Sequence, residues 1–303
     1  MLNGVRRWIG SKVITRLNRE VEAPVRSLSD FDRLCDEIRP CDILLVEGRS
    51  PVSNIIKTIT QSPWSHAAIY IGRLRDIEVP AVRARVAKYS DTDQNTQVVI
   101  EAILGKGTIV TPLDKYHDYR VRLCRPAGLA PKDRQRVIAY TVEKLGTGYD
   151  LRQLIDLARF VFPYGIVPRR WRSTLFTHNA GPETQTVCST LLADAFQAVH
   201  FPILPINLSN GSDEQKISHR NSRLFTPQDF DFSPYFEVLK FPFHNIHDLA
   251  AYHLLPWAEN SICNDESDCY AQPKQAKKES LDIAHLNSGE LSDSSNDKQE
   301  VQP

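Results

Sequence analysis

The 303-residue sequence lacks the cysteine spacing of a zinc ribbon or a dense disulfide framework, because its six cysteines include no C-x-x-C pair. Scattered thiols of this kind suit a reducing compartment better than an oxidising one. An excess of either charge is also missing, since 37 Lys and Arg residues balance 37 Asp and Glu residues. The charge balance gives no indication of a nucleic-acid partner, and we expect none.

Long apolar runs are absent as well. No segment approaches the roughly 20 apolar residues that span a bilayer. No signal peptide is predicted, because Lys12 and Arg16 interrupt the first segment and no small-residue cleavage site follows. The sequence therefore predicts a cytoplasmic protein without a transmembrane helix.

Two segments leave a peripheral membrane contact open. Residues 5–21 predict a basic amphipathic helix, which either packs on the main domain or lies on an anionic membrane surface. Residues 160–167 are apolar and form either a packed helix end or a second membrane contact. The oligomeric state stays open too.

Composition divides the chain into three parts. Residues 1–28 hold the basic N-terminal helix, and residues 29–257 form the main domain. Residues 258–303 are polar and acidic, and they carry too few apolar side chains to order themselves, so a disordered tail is predicted.

Within the main domain, short apolar segments joined by turns predict an antiparallel sheet rather than alternating βαβ units. The predicted strands lie near residues 42–47, 67–71, 98–103, 108–112, 119–124 and 236–241. The predicted helices lie at residues 29–38, 52–59, 131–145, 151–162 and 188–199, and residues 73–95 and 202–223 are predicted to be loops.

Cys188 is the strongest candidate for a reactive group. Apolar residues recur at helical spacing after it, from Leu191 to Val199, so Cys188 is expected at a helix N-terminus. There the helix dipole favours the thiolate over the thiol. The alternative is an unreactive thiol buried as a small hydrophobe.

Two further residues supply what a thiolate nucleophile needs. His66 precedes an apolar strand and is the side chain best suited to accept a thiol proton near neutral pH. Glu101 interrupts an apolar strand, where a carboxylate is costly unless it is paired. One use for such a carboxylate is to orient a histidine. A structural His66 and a Glu101 that faces water are the alternatives.

Together, residues 41–48, 62–72, 99–102 and 187–196 resemble the permuted papain-fold cysteine hydrolases. These form the YiiX/YebB-like branch of the NlpC-type superfamily, a more distant relative of lecithin–retinol acyltransferase. The resemblance covers roughly residues 38–240. It implies a circularly permuted papain-like α+β fold, in which an antiparallel sheet or partial barrel packs against helices and the nucleophilic cysteine begins a helix.

The resemblance also implies roles. Cys188 is the nucleophile, its backbone N–H is an oxyanion donor, His66 is the general base and later acid, and Glu101 orients His66. Residues expected to line the substrate are Tyr149, Trp64 and Ser65. His117 is a rival for the third position, ranked below Glu101 because it lies in a polar turn. The family often has Gly-Asp where this chain has Cys41 and Asp42.

The expected reaction is cleavage of an amide or acyl bond through a cysteine thioester, without a cofactor or a metal. A metal site is not expected, because the available thiols and imidazoles have no recognised metal-ligand spacing. These residues are His66, His117, Cys124 and Cys188. The substrate is a small molecule, a peptide or a lipid acyl group. Two alternatives stay open: a lipid acyl hydrolase or acyltransferase at a membrane surface, and a non-catalytic binding module.

Overall fold

A computed structural model describes residues 15–16, 19–20, 29–149, 185–208, 216–242, 244, 250–258, 261–263 and 268–271. The chain divides into two compact units, residues 1–245 and 246–303. Each unit is described by itself.

The first unit is built on a six-stranded sheet. Its strands are β1 (Ile43–Val46), β2 (His66–Arg73), β3 (Gln97–Ile103), β4 (Gly107–Pro112), β5 (Val121–Pro126) and β10 (Phe236–Leu239). They lie in the order β10-β5-β1-β2-β3-β4, and every neighbouring pair is antiparallel, as the short turns predict. Strands β1 to β4 form a meander, and β5 returns to pair with the free side of β1.

The described residues form three further pairs of short strands. Strands β6 (Gly148–Tyr149) and β7 (Gln185–Thr186) pair in parallel. Strands β8 (Ile206–Leu208) and β9 (Lys216–Ser218) form an antiparallel pair. The second unit contains β11 (Ser261–Cys263) and β12 (Cys269–Ala271).

Both faces of the central strand β1 are covered, which is why it is apolar at every position rather than at alternate ones. In β1, Ile43 and Leu45 join one core cluster, whereas Leu44 and Val46 join the other. The first cluster includes residues of α4 (Pro131–Glu143) and α5 (Cys188–Gln197).

The second cluster includes residues of α1 (Phe31–Glu37) and of a 3₁₀ turn, Leu113–Tyr116. Further helices in the described residues are α2 (Pro51–Thr60), α3 (Pro80–Lys88) and α6 (Gln228–Phe232). Asp30 caps α1 by accepting from Arg33 N–H at 3.0 Å, and Ser50 caps α2 by accepting from Ser53 N–H at 3.2 Å.

Two segments predicted to be loops contain regular structure. Residues 73–95 include α3, which begins at Pro80 and buries only Val86. A helix with one buried residue has no apolar stripe for a periodicity analysis to detect. Residues 202–223 include β8 and β9, which are three residues each and hold the exposed Ile206 and Ile217.

The second unit corrects part of the prediction for the C-terminal region. Within the segment expected to be a disordered tail, β11 and β12 pair in antiparallel register, and Cys263 and Cys269 form a disulfide. The two cysteines are six positions apart, which is not a C-x-x-C spacing. The proposed boundaries after residues 28 and 257 stay predictions.

Several predictions lie outside the described residues. They are the helix over residues 151–162, the apolar stretch 160–167 and, except for four residues, the basic helix 5–21. In the part of the chain that the structure describes, no helix has both the length and the apolar character needed to cross a membrane.

Candidate active site

Cys188 is the first residue of α5, as the apolar periodicity predicts. The helix forms because Leu191, Leu192 and Phe196 bury one face in the core below the sheet. Its start is also tied down, since Ser189 Oγ donates a 2.6 Å hydrogen bond to the Phe225 carbonyl. Cys188 therefore has a fixed position at the positive end of a ten-residue helix dipole.

The strand before α5 carries the chain to this position. In β7, Thr186 is paired with Tyr149 of β6, and Val187 and Cys188 then pack against Ala102 of β3. Val187 occupies the N-cap and has no polar atom in its side chain to accept from the first helical amides. The N-terminal end of α5 thus lies against the strand that carries Glu101.

His66 is the first residue of β2, opposite Val46 at the end of β1. The preceding turn is held by hydrogen bonds from two backbone amides: Trp64 N–H donates to the Ser62 hydroxyl at 3.1 Å, and Ser65 N–H donates to the Val46 carbonyl at 3.1 Å. The imidazole is 20% exposed, so it lies at the edge of the core rather than inside it.

Glu101 lies in the middle of β3, opposite Ile109 of β4, and its carboxylate has no exposed surface. Three groups satisfy the carboxylate. His66 Nε2 is 2.6 Å from Oε2, the Tyr116 hydroxyl donates to Oε2 at 2.5 Å, and Lys115 Nζ donates to Oε1 at 2.9 Å. The alternative in which Glu101 faces water does not apply.

The His66 ring lies between the two other residues. Its Nε2 is occupied by Glu101, and the ring also hydrogen-bonds Cys188. Nδ1 is the ring nitrogen that Glu101 leaves available. The structure brings Cys188, His66 and Glu101 together in the order that a nucleophile, a base and an orienting group require.

The electrostatics favour an ionised thiol. Burial raises the pKa of Cys188, but the charge and hydrogen bond of His66 and the N–H groups of Ala67 and Ser189 outweigh it, and the pKa falls below its ordinary value. The pKa of His66 shifts in the opposite sense. Burial lowers it, whereas the charges and hydrogen bonds of Cys188 and Glu101 raise it above its ordinary value. Thiolate and imidazolium thus stabilise each other.

The pKa of Glu101 is held well below its usual range. Burial acts to raise this pKa, but the hydrogen bond from His66 and the charges of His66 and Lys115 lower it further than burial raises it. The neighbouring Tyr116 hydroxyl has a strongly raised pKa, first through burial and then through the Glu101 charge. Tyr116 therefore stays a neutral donor, and Glu101 stays an anion.

Lys115 and Tyr116 were missed by the sequence analysis. Both belong to the 3₁₀ turn Leu113–Tyr116, which follows β4 directly. A signal was present, because β4 is the hairpin partner of the strand that carries Glu101. A lysine and a tyrosine just after the hairpin are within reach of a carboxylate that needs partners.

Two of the residues predicted to line a substrate have other contacts. Trp64 is 2% exposed, and its Nε1 donates to Asp231 at 3.2 Å. Its ring also lies 4.8 Å from the guanidinium carbon of Arg122. Ser65 is 3% exposed, and its hydroxyl accepts from Gly48 N–H at 2.9 Å. These side chains support the turn before His66 and offer almost no surface to a substrate.

Tyr149 and His117 do not contribute described side chains to the site. The side chain of Tyr149 lies outside the described residues, although its backbone pairs with the strand that leads to Cys188. His117 is exposed and hydrogen-bonds Asp118 at 2.9 Å, so it is not part of the constellation. In the described part of the chain, no group of three or more His, Cys, Asp and Glu side chains is placed to hold a metal ion.

A cleft of about 320 Å³ lies at the opposite end of β1. It includes Asp42, which precedes β1, and Arg125 of β5. Arg125 donates to both oxygens of Asp42, with distances of 3.0 Å and 2.7 Å. Cys188, His66 and Glu101 do not line this cleft.

Comparison with known proteins supports the resemblance. Residues 37–160 match the family described as "Permuted papain-like amidase enzyme, YaeF/YiiX, C92 family". Among solved structures, the chain is similar to the crystal structure titled metalloprotein yiiX from Escherichia coli O157:H7. The sequence identity is 14%, the TM-score is 0.42, and the match covers 67% of this chain and 97% of that chain. No curated protein matches the sequence.

The match to this family model confirms the resemblance predicted from the sequence, and the antiparallel sheet packed against helices confirms the predicted α+β fold class. The matched residues carry His66, Glu101 and the turn with Lys115 and Tyr116, whereas Cys188 follows 28 residues after the match ends. The architecture is an antiparallel sheet packed against helices, as a permuted papain-like fold requires.

Proposed function

We propose that this protein is a cysteine hydrolase that cleaves an amide or acyl bond through a thioester on Cys188. The observation that carries the proposal is the His66 imidazole, whose Nε2 lies 2.6 Å from Glu101 Oε2 and which also interacts with Cys188 through charge and a hydrogen bond. The match of residues 37–160 to an amidase family supports an amide as the substrate bond.

In the first half-reaction, the Cys188 thiolate attacks the substrate carbonyl carbon. The carbonyl π electrons move to oxygen, and the amides at the start of α5 stabilise the resulting oxyanion, the Cys188 N–H among them. The imidazolium of His66 then donates its proton to the leaving nitrogen or oxygen as the scissile bond breaks. A thioester and neutral His66 remain.

In the second half-reaction, water attacks the thioester carbon and neutral His66 accepts its proton. The carbon–sulfur bond breaks, the acid product leaves, and the thiolate–imidazolium pair is restored. Glu101 holds the ring orientation through both steps and stabilises the imidazolium without accepting its proton, because its own pKa is held low.

Thiol alkylation tests the proposal without a known substrate. Cys35 is an internal control, because it is more exposed than Cys188 but its pKa is raised to about 11, mainly by burial and nearby aspartates. With limiting iodoacetamide at pH 7, we expect Cys188 to react about 100-fold faster than Cys35, since the thiolate is the reactive form. Peptide mass spectrometry measures both rates in one sample.

A second experiment traps the acyl-enzyme with p-nitrophenyl acetate. The full chain is expected to carry one acetyl group on Cys188 after an acid quench, and Cys188→Ala is expected to carry none. Cys35→Ala is the matched control and should acetylate like the wild type. Labelling of Cys188 no faster than Cys35, with no acetyl adduct, contradicts the proposal and favours a non-catalytic binding module on the same fold.

A further inference from the structure

We propose that Lys115 is a positioning residue whose positive charge balances the buried Glu101 and thereby permits the thiolate state of Cys188. This inference rests on the proposed function and extends it to a fourth charged group. Lys115 Nζ donates to Glu101 Oε1 at 2.9 Å, on the carboxylate oxygen that His66 does not contact.

Net charge explains why a fourth group matters. A thiolate, an imidazolium and a carboxylate carry a net charge of minus one between them. Glu101 has no exposed surface and Cys188 is only 5% exposed, so that excess charge is poorly solvated. Lys115 brings the sum to zero in the state where Cys188 is ionised.

Protonating the thiol is the other way to reach neutrality when Lys115 is absent. With Glu101 ionised and His66 protonated, a neutral Cys188 also gives a net charge of zero. Loss of the lysine charge therefore favours thiol over thiolate, and the pKa of Cys188 rises. The same loss removes a repulsion on the imidazolium, so the pKa of His66 rises as well. The pH range in which the thiolate–imidazolium pair exists therefore moves upward at both limits.

The position of Lys115 suits this role. Its side chain is 36% exposed, so the ammonium keeps part of its hydration while it contacts a fully buried carboxylate. Its Nζ also lies 4.9 Å from the centre of the Tyr116 ring, and this cation–π contact holds the Lys115 side chain beside the carboxylate. The titratable groups that interact with Glu101 from the surrounding elements are His66 of β2, Lys115 and Tyr116 of the 3₁₀ turn, and Tyr119 beyond it.

The test measures the rate of Cys188 alkylation against pH in the full chain. Lys115→Met and Lys115→Gln both remove the charge, and the glutamine amide can still donate to Glu101. We expect both variants to move the midpoint of the alkylation profile upward by about one pH unit, the size of a single charge interaction over several ångströms at an effective dielectric constant near 20.

Two controls separate this role from a structural one. Lys115→Arg keeps the charge and is expected to retain the wild-type midpoint. Lys106→Met removes a lysine from the turn of the same β3–β4 hairpin, at the end away from Lys115, and is also expected to leave the midpoint unchanged. Circular dichroism and the Tm establish that each variant is folded, and Lys115→Gln keeps the test decisive if Lys115→Met unfolds.

The outcomes distinguish this inference from the proposed function. If the wild-type Cys188 reacts no faster than Cys35, the proposed function fails. If the wild type reacts fast but the charge-removing variants keep its midpoint, the role of Lys115 is overturned and the proposed function stands. An equal shift in Lys106→Met also overturns the inference, because the effect would then be one of total charge.

Discussion

At the scale of single residues, Cys188 and Cys41 show that the groups around a buried cysteine determine the pKa of its thiol. Both side chains are buried, yet the pKa of Cys188 is lowered, whereas burial raises the pKa of Cys41 to about 12. Cys188 has His66 and helix N-terminal amides as neighbours. Cys41 instead donates from Sγ to the Arg134 carbonyl at 3.4 Å and has no cationic partner strong enough to offset burial.

Cys41 also occupies a backbone conformation that favours glycine, with φ at 76°. This explains why glycine is common at this position in the resembling family. We expect Cys41→Gly to be more stable than Cys41→Ala by about 1 kcal/mol, because an L-residue in the left-handed region costs about 1–2 kcal/mol and unfolded-chain entropy returns part of it. Urea unfolding of the two variants measures the difference. A more stable alanine variant would contradict the prediction that strain at this φ is the larger effect.

At the scale of secondary-structure elements, the N-terminus of α5 combines two functions. It begins a helix whose apolar face is buried, and it presents amides to the Cys188 sulfur, including the N–H of Ser189. An N-cap side chain that accepted hydrogen bonds would compete with the sulfur for these amides. Valine at position 187 leaves them to the thiolate and to an incoming oxyanion.

Val187→Asp tests this division. An aspartate N-cap adds a negative charge beside the thiolate and accepts from the helix amides, so the pKa of Cys188 is expected to rise by about one unit. The midpoint of the pH profile of Cys188 alkylation should then move upward by about one pH unit. Val187→Asn is the matched control, since it can cap the helix without the charge. Equal midpoints in the aspartate and asparagine variants would refute the electrostatic explanation.

At the scale of the first unit, the candidate active site lies beside the start of β2, on two interior strands of the six-stranded sheet. The sheet fixes His66 and Glu101 on two neighbouring strands, β2 and β3, while α5 brings Cys188 from more than 80 residues further along the chain. Rigid elements therefore set the geometry of the three groups. The buried charges also link the site to the stability of the whole unit.

Glu101→Gln makes this link measurable. The pKa of Glu101 is depressed in the folded state, so its contribution to stability is present above the unfolded pKa near 4.3 and is lost as the pH falls towards the folded pKa. At pH 7 we expect the free energy of unfolding of the wild type to be about 3 kcal/mol higher than that of the variant, the usual cost of breaking a buried ion pair. The gap should narrow below about pH 4. Urea unfolding at several pH values measures it, and a gap that is constant down to pH 3 contradicts the depressed pKa.

The sequence alone was sufficient for the elements that have strong local signals. Apolar segments such as residues 98–103 predicted the strands, and the spacing after Cys188 predicted α5. The resemblance, built on residues around His66, Glu101 and Cys188, predicted the fold class that the family match confirms. Local signals failed where burial was slight, as in α3, and where pairing was short, as in β8 with β9 and β11 with β12.

What the sequence determined by itself was the set of chemical groups: a cysteine at a helix start, a histidine before a strand and a carboxylate inside an apolar strand. Only the tertiary structure decided their partners. Lys115 and Tyr116 have no motif that marks them, and they join the site because the β3–β4 hairpin returns them to Glu101. A buried charge takes its pKa from neighbours in space, and the fold sets those neighbours.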